Sequence, residues 1–145
     1  MPFSNLSTVS GTTVYASSTQ ATPAPHSHEE AIVIACSDEV SPLTTGNSKV
    51  ALPWPYTWNV EEMRVNVNTA PAGADLIIRV RYHDGTTDTT RTITVPAGDT
   101  EVVVPVTGAG SQLPERKILY VDITQVGSTT NGTGLKLTII GRQTT

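Results

Sequence analysis

The sequence holds a single cysteine, Cys36. One thiol cannot close an internal disulfide, so a disulfide-stapled secreted scaffold is excluded. Aromatic residues are scarce, at 5% of the 145 residues, and histidine occurs only three times. Positive charge is also short. Nine Lys and Arg are scattered among thirteen Asp and Glu, for a formal net charge of -4 and a pI near 5.2. Binding a phosphate backbone takes clustered cations, so no nucleic-acid partner is expected. No apolar run approaches the roughly 18 residues of a membrane helix, so no membrane partner is expected either. The opening stretch MPFSNLSTVSGTT has neither the basic region nor the hydrophobic core of a signal peptide. The expectation is a protein made in the cytosol that stays soluble.

What is present divides near residue 28. Residues 1–28, MPFSNLSTVSGTTVYASSTQATPAPHSH, are rich in Ser, Thr, Ala and Pro and contain no Lys, Arg, Asp or Glu. Neither period 2 nor period 3.6 persists, so the segment cannot bury enough apolar area to offset its ordering entropy. It is nonetheless dotted with Phe3, Leu6, Val9, Val14 and Tyr15. The composition alone fits a floppy tail; the spacing of these residues points instead to an extended arm whose apolar anchors order on a partner. TPAPHSH, residues 22–28, is expected to be a stiff linker because proline favours the polyproline conformation.

From residue 29 onward the pattern is that of strands. EAIVIAC is short, β-branched and apolar on both faces, which predicts a strand inside a sheet. SKVAL predicts a second strand. In YTWNVEEMRVNVNT, Met63, Val65 and Val67 face one way and Arg64, Asn66 and Asn68 the other, with a break at Glu61-Glu62 that predicts a bulge. Leu76, Ile78, Val80 and Tyr82 form one face of the next strand, with Arg79 and Arg81 on the other. Asp84-Gly85 is a hairpin signal. TTRTITV, EVVVPV, KILYVDITQV and LKLTIIG follow, with Leu119, Val121 and Ile123 inward and Tyr120, Asp122 and Thr124 outward. No window supports a helix longer than the single turn that PERK, residues 114–117, allows. About eight strands at this spacing predict an all-β antiparallel sandwich or jelly roll over residues 29–145, preceded by the extended N-terminal arm.

Chemistry is thin. Of the histidines, His26 and His28 lie in the linker, and His83 sits at a predicted hairpin tip, so no imidazole is positioned to activate a hydroxyl. His26, His28, Glu29 and Glu30 are metal-ligand types on a soft segment. Asp84 and Asp88 flank a turn without calcium-loop spacing. Asp38-Glu39 and Glu61-Glu62 are sequence neighbours whose side chains diverge on a strand, unlike the facing acids of sugar hydrolysis. Cys36 ends an apolar strand with no neighbouring base and reads as a small buried hydrophobe. GSTTNGTG lacks the lysine and helix of a phosphate loop. Asn5-Leu6-Ser7 and Asn131-Gly132-Thr133 match the glycosylation pattern without a secretory signal. No cofactor, no metal and no catalytic residue is expected. Trp54, Tyr56 and Trp58 alternate and offer a candidate surface for stacking a sugar or another subunit.

Three blocks, AIVIACSDEVSPLTTG (31–46), NTAPAGADLIIRV (68–80) and VDITQVGSTTNGTGLKLTIIGR (121–142), resemble a β module recurrent in virion proteins of tailed bacteriophages. The blocks occur in the family's order, and the last is the most specific. LPWPYTWNVEEM, residues 52–63, departs from that family's more aliphatic run. The resemblance implies a non-enzymatic virion structural protein. The expected role is a capsid decoration, or cement, protein on the capsid surface that bridges capsomers. Its partners would be the major capsid protein and itself, as a homotrimer. The alternative is a receptor- or carbohydrate-binding module on a tail or head fibre. There a host glycan would be the partner, and Trp54, Tyr56 and Trp58 would touch it. On either reading Asp38-Glu39 is the corner that ends the first strand, with Asp38 accepting backbone N–H groups.

Overall fold

A computed structural model describes residues 28–83 and 87–144. The arm anchors Phe3, Leu6, Val9, Val14 and Tyr15 lie outside the described residues, as does the Asp84-Gly85 turn. Among the described residues nine strands follow one another: β1 (Glu29–Ala35), β2 (Gly46–Pro53), β3 (Trp58–Asn66), β4 (Leu76–His83), β5 (Asp88–Val95), β6 (Glu101–Pro105), β7 (Gln112–Leu113), β8 (Ile118–Gln125) and β9 (Lys136–Gln143). One sheet, A, has the order β1-β9-β3-β6, with the two-residue β7 also on β3. The other, B, has the order β2-β8-β4-β5. All pairs are antiparallel.

The pairing nests. β4 pairs β5, β3 pairs β6, β2 pairs β8 and β1 pairs β9, so the chain runs out and back like one long hairpin folded over onto itself. Folding such a hairpin into two layers gives the eight-stranded jelly roll, and β7 is the ninth, accessory strand. The expected sandwich is therefore what forms. No described residue is helical; PERK makes a turn at 115–116, and Arg116 adopts a left-handed φ of 65°.

Alternation explains the layers. In β4 the inward set Leu76, Ile78, Val80 and Tyr82 is buried, as are Met63, Val65 and Val67 along β3 and just past it. They meet Leu119, Val121 and Ile123 from β8 and Leu137 and Ile139 from β9 in one continuous core. The predicted irregularity in β3 is present: its register against β9 shifts between Val60 and Glu62. The extra residue lets Val60 and Met63 both point inward. The loop before β9 needs its glycines. A Cβ on Gly127 would lie 1.9 Å from the Thr130 carbonyl oxygen, and Gly134 holds a φ of +66° against Asn68.

One expectation about position fails. Among the described residues β1 does not lie inside a sheet; it is the edge of sheet A, and most of its residues are exposed. Only Ile34 is buried and Ile32 half-buried, while Val33 is 62% exposed. An uninterrupted apolar run fits an interior strand, but it fits equally an edge strand whose outer residues are small or β-branched.

Candidate functional site

The corner after β1 is committed to backbone bonds. Asp38 Oδ1 accepts the N–H groups of Val40 (2.9 Å) and Ser41 (2.6 Å). These bonds, from Ser41 first and Val40 second, hold its carboxyl below the ordinary value. Ser37 Oγ accepts the Leu135 N–H at 2.9 Å, and Cys36 N–H donates to the Leu135 carbonyl at 2.8 Å. Glu39 accepts from Lys136 Nζ at 2.8 Å and from Asn68 Nδ2, which together lower its carboxyl. The expected turn role of Asp38 is thus what the geometry provides. Burial pushes the Cys36 thiol up to about 11, leaving it inert as expected.

The aromatic surface proposed for Trp54, Tyr56 and Trp58 does not exist as a unit. Trp54 and Trp58 are each 1% exposed, and only Tyr56 is open, at 52%. Residues 54–57 are not a strand but the crossing from β2 in one sheet to β3 in the other. A chain that turns between layers loses the alternation that would have put the three rings on one face. The two indoles instead pack edge to face, with centroids 5.3 Å apart and planes at 87°. Neither indole N–H has a hydrogen-bond partner among the described residues.

Sheet B carries a polar cluster that the pattern of residues did not announce. Asp122 points to the outer face, as expected, yet its side chain is fully covered. Arg81 Nε and Nη2 grip its two oxygens at 2.7 and 2.8 Å, and Arg79 Nε donates at 2.9 Å. A fourth donor is the Ser48 N–H, 2.7 Å from Oδ1. It comes from an irregular stretch of β2, where the register against β8 shifts between Gly46 and Val50 and Ser48 adopts a φ of 50°. The bond from Arg81 is the main cause that holds the Asp122 carboxyl well below the usual carboxylate range; burial opposes it. Arg81 also lies over the Tyr120 ring, 4.9 Å from its centroid. The available signal was the pair Arg79 and Arg81, two outward cations at strand spacing.

Next to this cluster the outer face of sheet B is concave. A cleft of about 540 Å³ is lined by Arg81, His83, Ile118 and Tyr120 from the sheet and by Arg116 and Lys117 from the preceding turn. Among the described residues no group of three or more His, Cys, Asp or Glu is arranged to hold a metal ion.

Sheet A differs. Ala31, Val33 and Ala35 of β1 are exposed on its outer side, and Val103 of β6 is open as well. Strand order and nesting define the chain as an antiparallel jelly roll. No family model matches it, and no curated protein is significantly similar to it.

Proposed function

We propose that the chain is a non-enzymatic structural protein of a tailed-phage particle, a decoration protein on the capsid surface. It bridges capsomers as a homotrimer, and its partners are the major capsid protein and other copies of itself. The observation that carries this reading is the β1 edge of sheet A, which pairs with no further strand among the described residues. From Ala31 to Ala35 the edge strand bears no charge and no proline, its two glutamates, Glu29 and Glu30, standing at its start, and Val33 stands in solvent. The anchor-bearing residues 1–28 lead directly into that edge.

An extended arm and an open edge suit lateral contact with neighbours. Apolar anchors contribute roughly 25 cal/mol per Å² buried, before ordering costs, and many copies on one particle multiply weak contacts through avidity. The resemblance to phage virion modules supports the same role. The fibre alternative loses its aromatic platform with the burial of Trp54 and Trp58.

Counting copies per particle by quantitative mass spectrometry tests the placement. Hundreds of copies fit capsid decoration; a few to a few dozen place the protein on a tail or fibre. Deleting residues 1–25 should leave a folded domain that no longer occupies particles, and normal decoration by the truncated chain would remove the arm from the account.

A further inference from the structure

The cleft on sheet B gathers cations on a protein that is acidic overall. Arg81, Arg116 and Lys117 line it, and Asp88 is the one carboxylate among the described residues of its lining. Arg79 and Arg81 together face the single charge of Asp122, so the covered cluster beside the cleft retains a positive excess. Arg116 pairs only loosely with Glu115, at 3.9 Å.

The basic wall is held in place from below. Trp54 N–H donates to the Lys117 carbonyl and its own carbonyl accepts the Arg116 N–H, both at 2.8 Å. Glu115 N–H reaches Thr57 Oγ1 at 3.3 Å. The buried tryptophan thus acts as an anchor for the turn that presents Arg116 and Lys117. Arg116 is held in a left-handed backbone conformation that a non-glycine residue seldom adopts. On the floor, the registers Arg81↔Tyr120 and Arg81↔Thr90 align a ring, a guanidinium and a hydroxyl across three strands. Arg81 is fixed there by Asp122 and by the Tyr120 ring.

We propose that this cleft is a binding site for an anionic sugar, a saccharide unit carrying a carboxylate. The volume lies in the range of small-ligand sites. The cations match the charge, Arg81 held by Asp122 and Arg116 and Lys117 exposed beside it; the Thr90 hydroxyl, on the same face as Arg81, suits a sugar hydroxyl, and Tyr120 with the half-open Ile118 offers apolar surface to a pyranose face. A nucleic acid would need a far more extended basic surface than three cations in one cleft. The site is independent of the capsid role and goes beyond it: the molecule would hold surface glycan whether or not it bridges capsomers.

Titrating the full-length ¹⁵N-labelled chain with tri-galacturonate, and in parallel with neutral maltotriose, inorganic phosphate and tetraglutamate, tests it. Amide shifts confined to residues 81–83, 88–90 and 116–120 are expected with tri-galacturonate, at a Kd of about 1 mM. Lys117→Glu should weaken that binding about tenfold, as should Arg116→Gly, which keeps the left-handed backbone and so the fold. No shift at these residues overturns the proposal. So do equal shifts with maltotriose, which would discount charge, or equal shifts with phosphate or tetraglutamate, which would discount the sugar. Particle occupancy is read separately, so loss of one role is distinguishable from loss of the other.

Discussion

The outer faces of the two sheets reverse the usual distribution. Sheet A leaves Val33 and Val103 in solvent, whereas sheet B covers the carboxylate of Asp122 completely. Alternation decides which side of a sheet a residue takes. It does not decide exposure, which depends on the length and reach of the neighbours. Around Asp122, two arginines and a bulged β2 close over a short side chain. Around Val33, the cross-strand neighbour is the small Thr138, and among the described residues no strand pairs with the other side of β1. An apolar residue left open at an edge is available for association, while an ion pair covered at the centre of a sheet pins strands together.

The interior sets the scale against which both faces are measured. Trp58→Ala should cost about 3–5 kcal/mol in chemical denaturation, because a large buried ring leaves a cavity. Trp58→Phe should cost far less, within about 1.5 kcal/mol, since it also removes an indole N–H that has no partner among the described residues.

On sheet B, Asp122→Ala should cost about 1–3 kcal/mol, by stranding donors from Arg79, Arg81 and Ser48. A loss below about 0.5 kcal/mol would mean that the cover is incidental. The pH dependence sharpens the point. Asp122 is held below its ordinary value of 3.8 in the folded chain. Its contribution is therefore complete above about pH 5. It declines as the unfolded chain takes up a proton and is lost fully only when the folded carboxyl is protonated. Stability of the parent chain should fall more steeply below pH 4 than that of Asp122→Asn, as read by urea midpoints across pH 2.5–6.

On sheet A, Val33→Lys should change the stability of the chain by no more than about 0.5 kcal/mol. It should nevertheless abolish self-association or particle occupancy, by placing a charge on the open edge. Unchanged occupancy would end the comparison in its functional form. The smallest effect is chemical: with its thiol pushed up to about 11, Cys36 holds about 0.1% thiolate at pH 8. It should react with a thiol probe only on unfolding.

Much of the fold was legible because β3, β4, β8 and β9 alternate cleanly, and because Glu61-Glu62 interrupts the alternation where the bulge lies. The edge position of β1 was not, since an apolar run says nothing about how many neighbours a strand has. Trp54, Tyr56 and Trp58 misled because alternation was applied across a crossing between layers. The cover over Asp122 was hidden for a different reason. Its donors come from residues 41, 43 and 74 positions away, and one of them is a backbone group exposed by an irregularity in β2. The cleft depends on a turn whose placement is set by Trp54, far from it in sequence.

The nesting of strands has a mechanical consequence. Glu29 at the start of β1 faces Arg142 near the end of β9, so the two flanking segments leave the domain from the same corner. Tension between them would open the seam like a zipper, one bridge after another from Glu29 toward Ala35, instead of shearing all seven at once. A tether through both ends would be a soft one, yielding at low force while the opposite sheet stays closed.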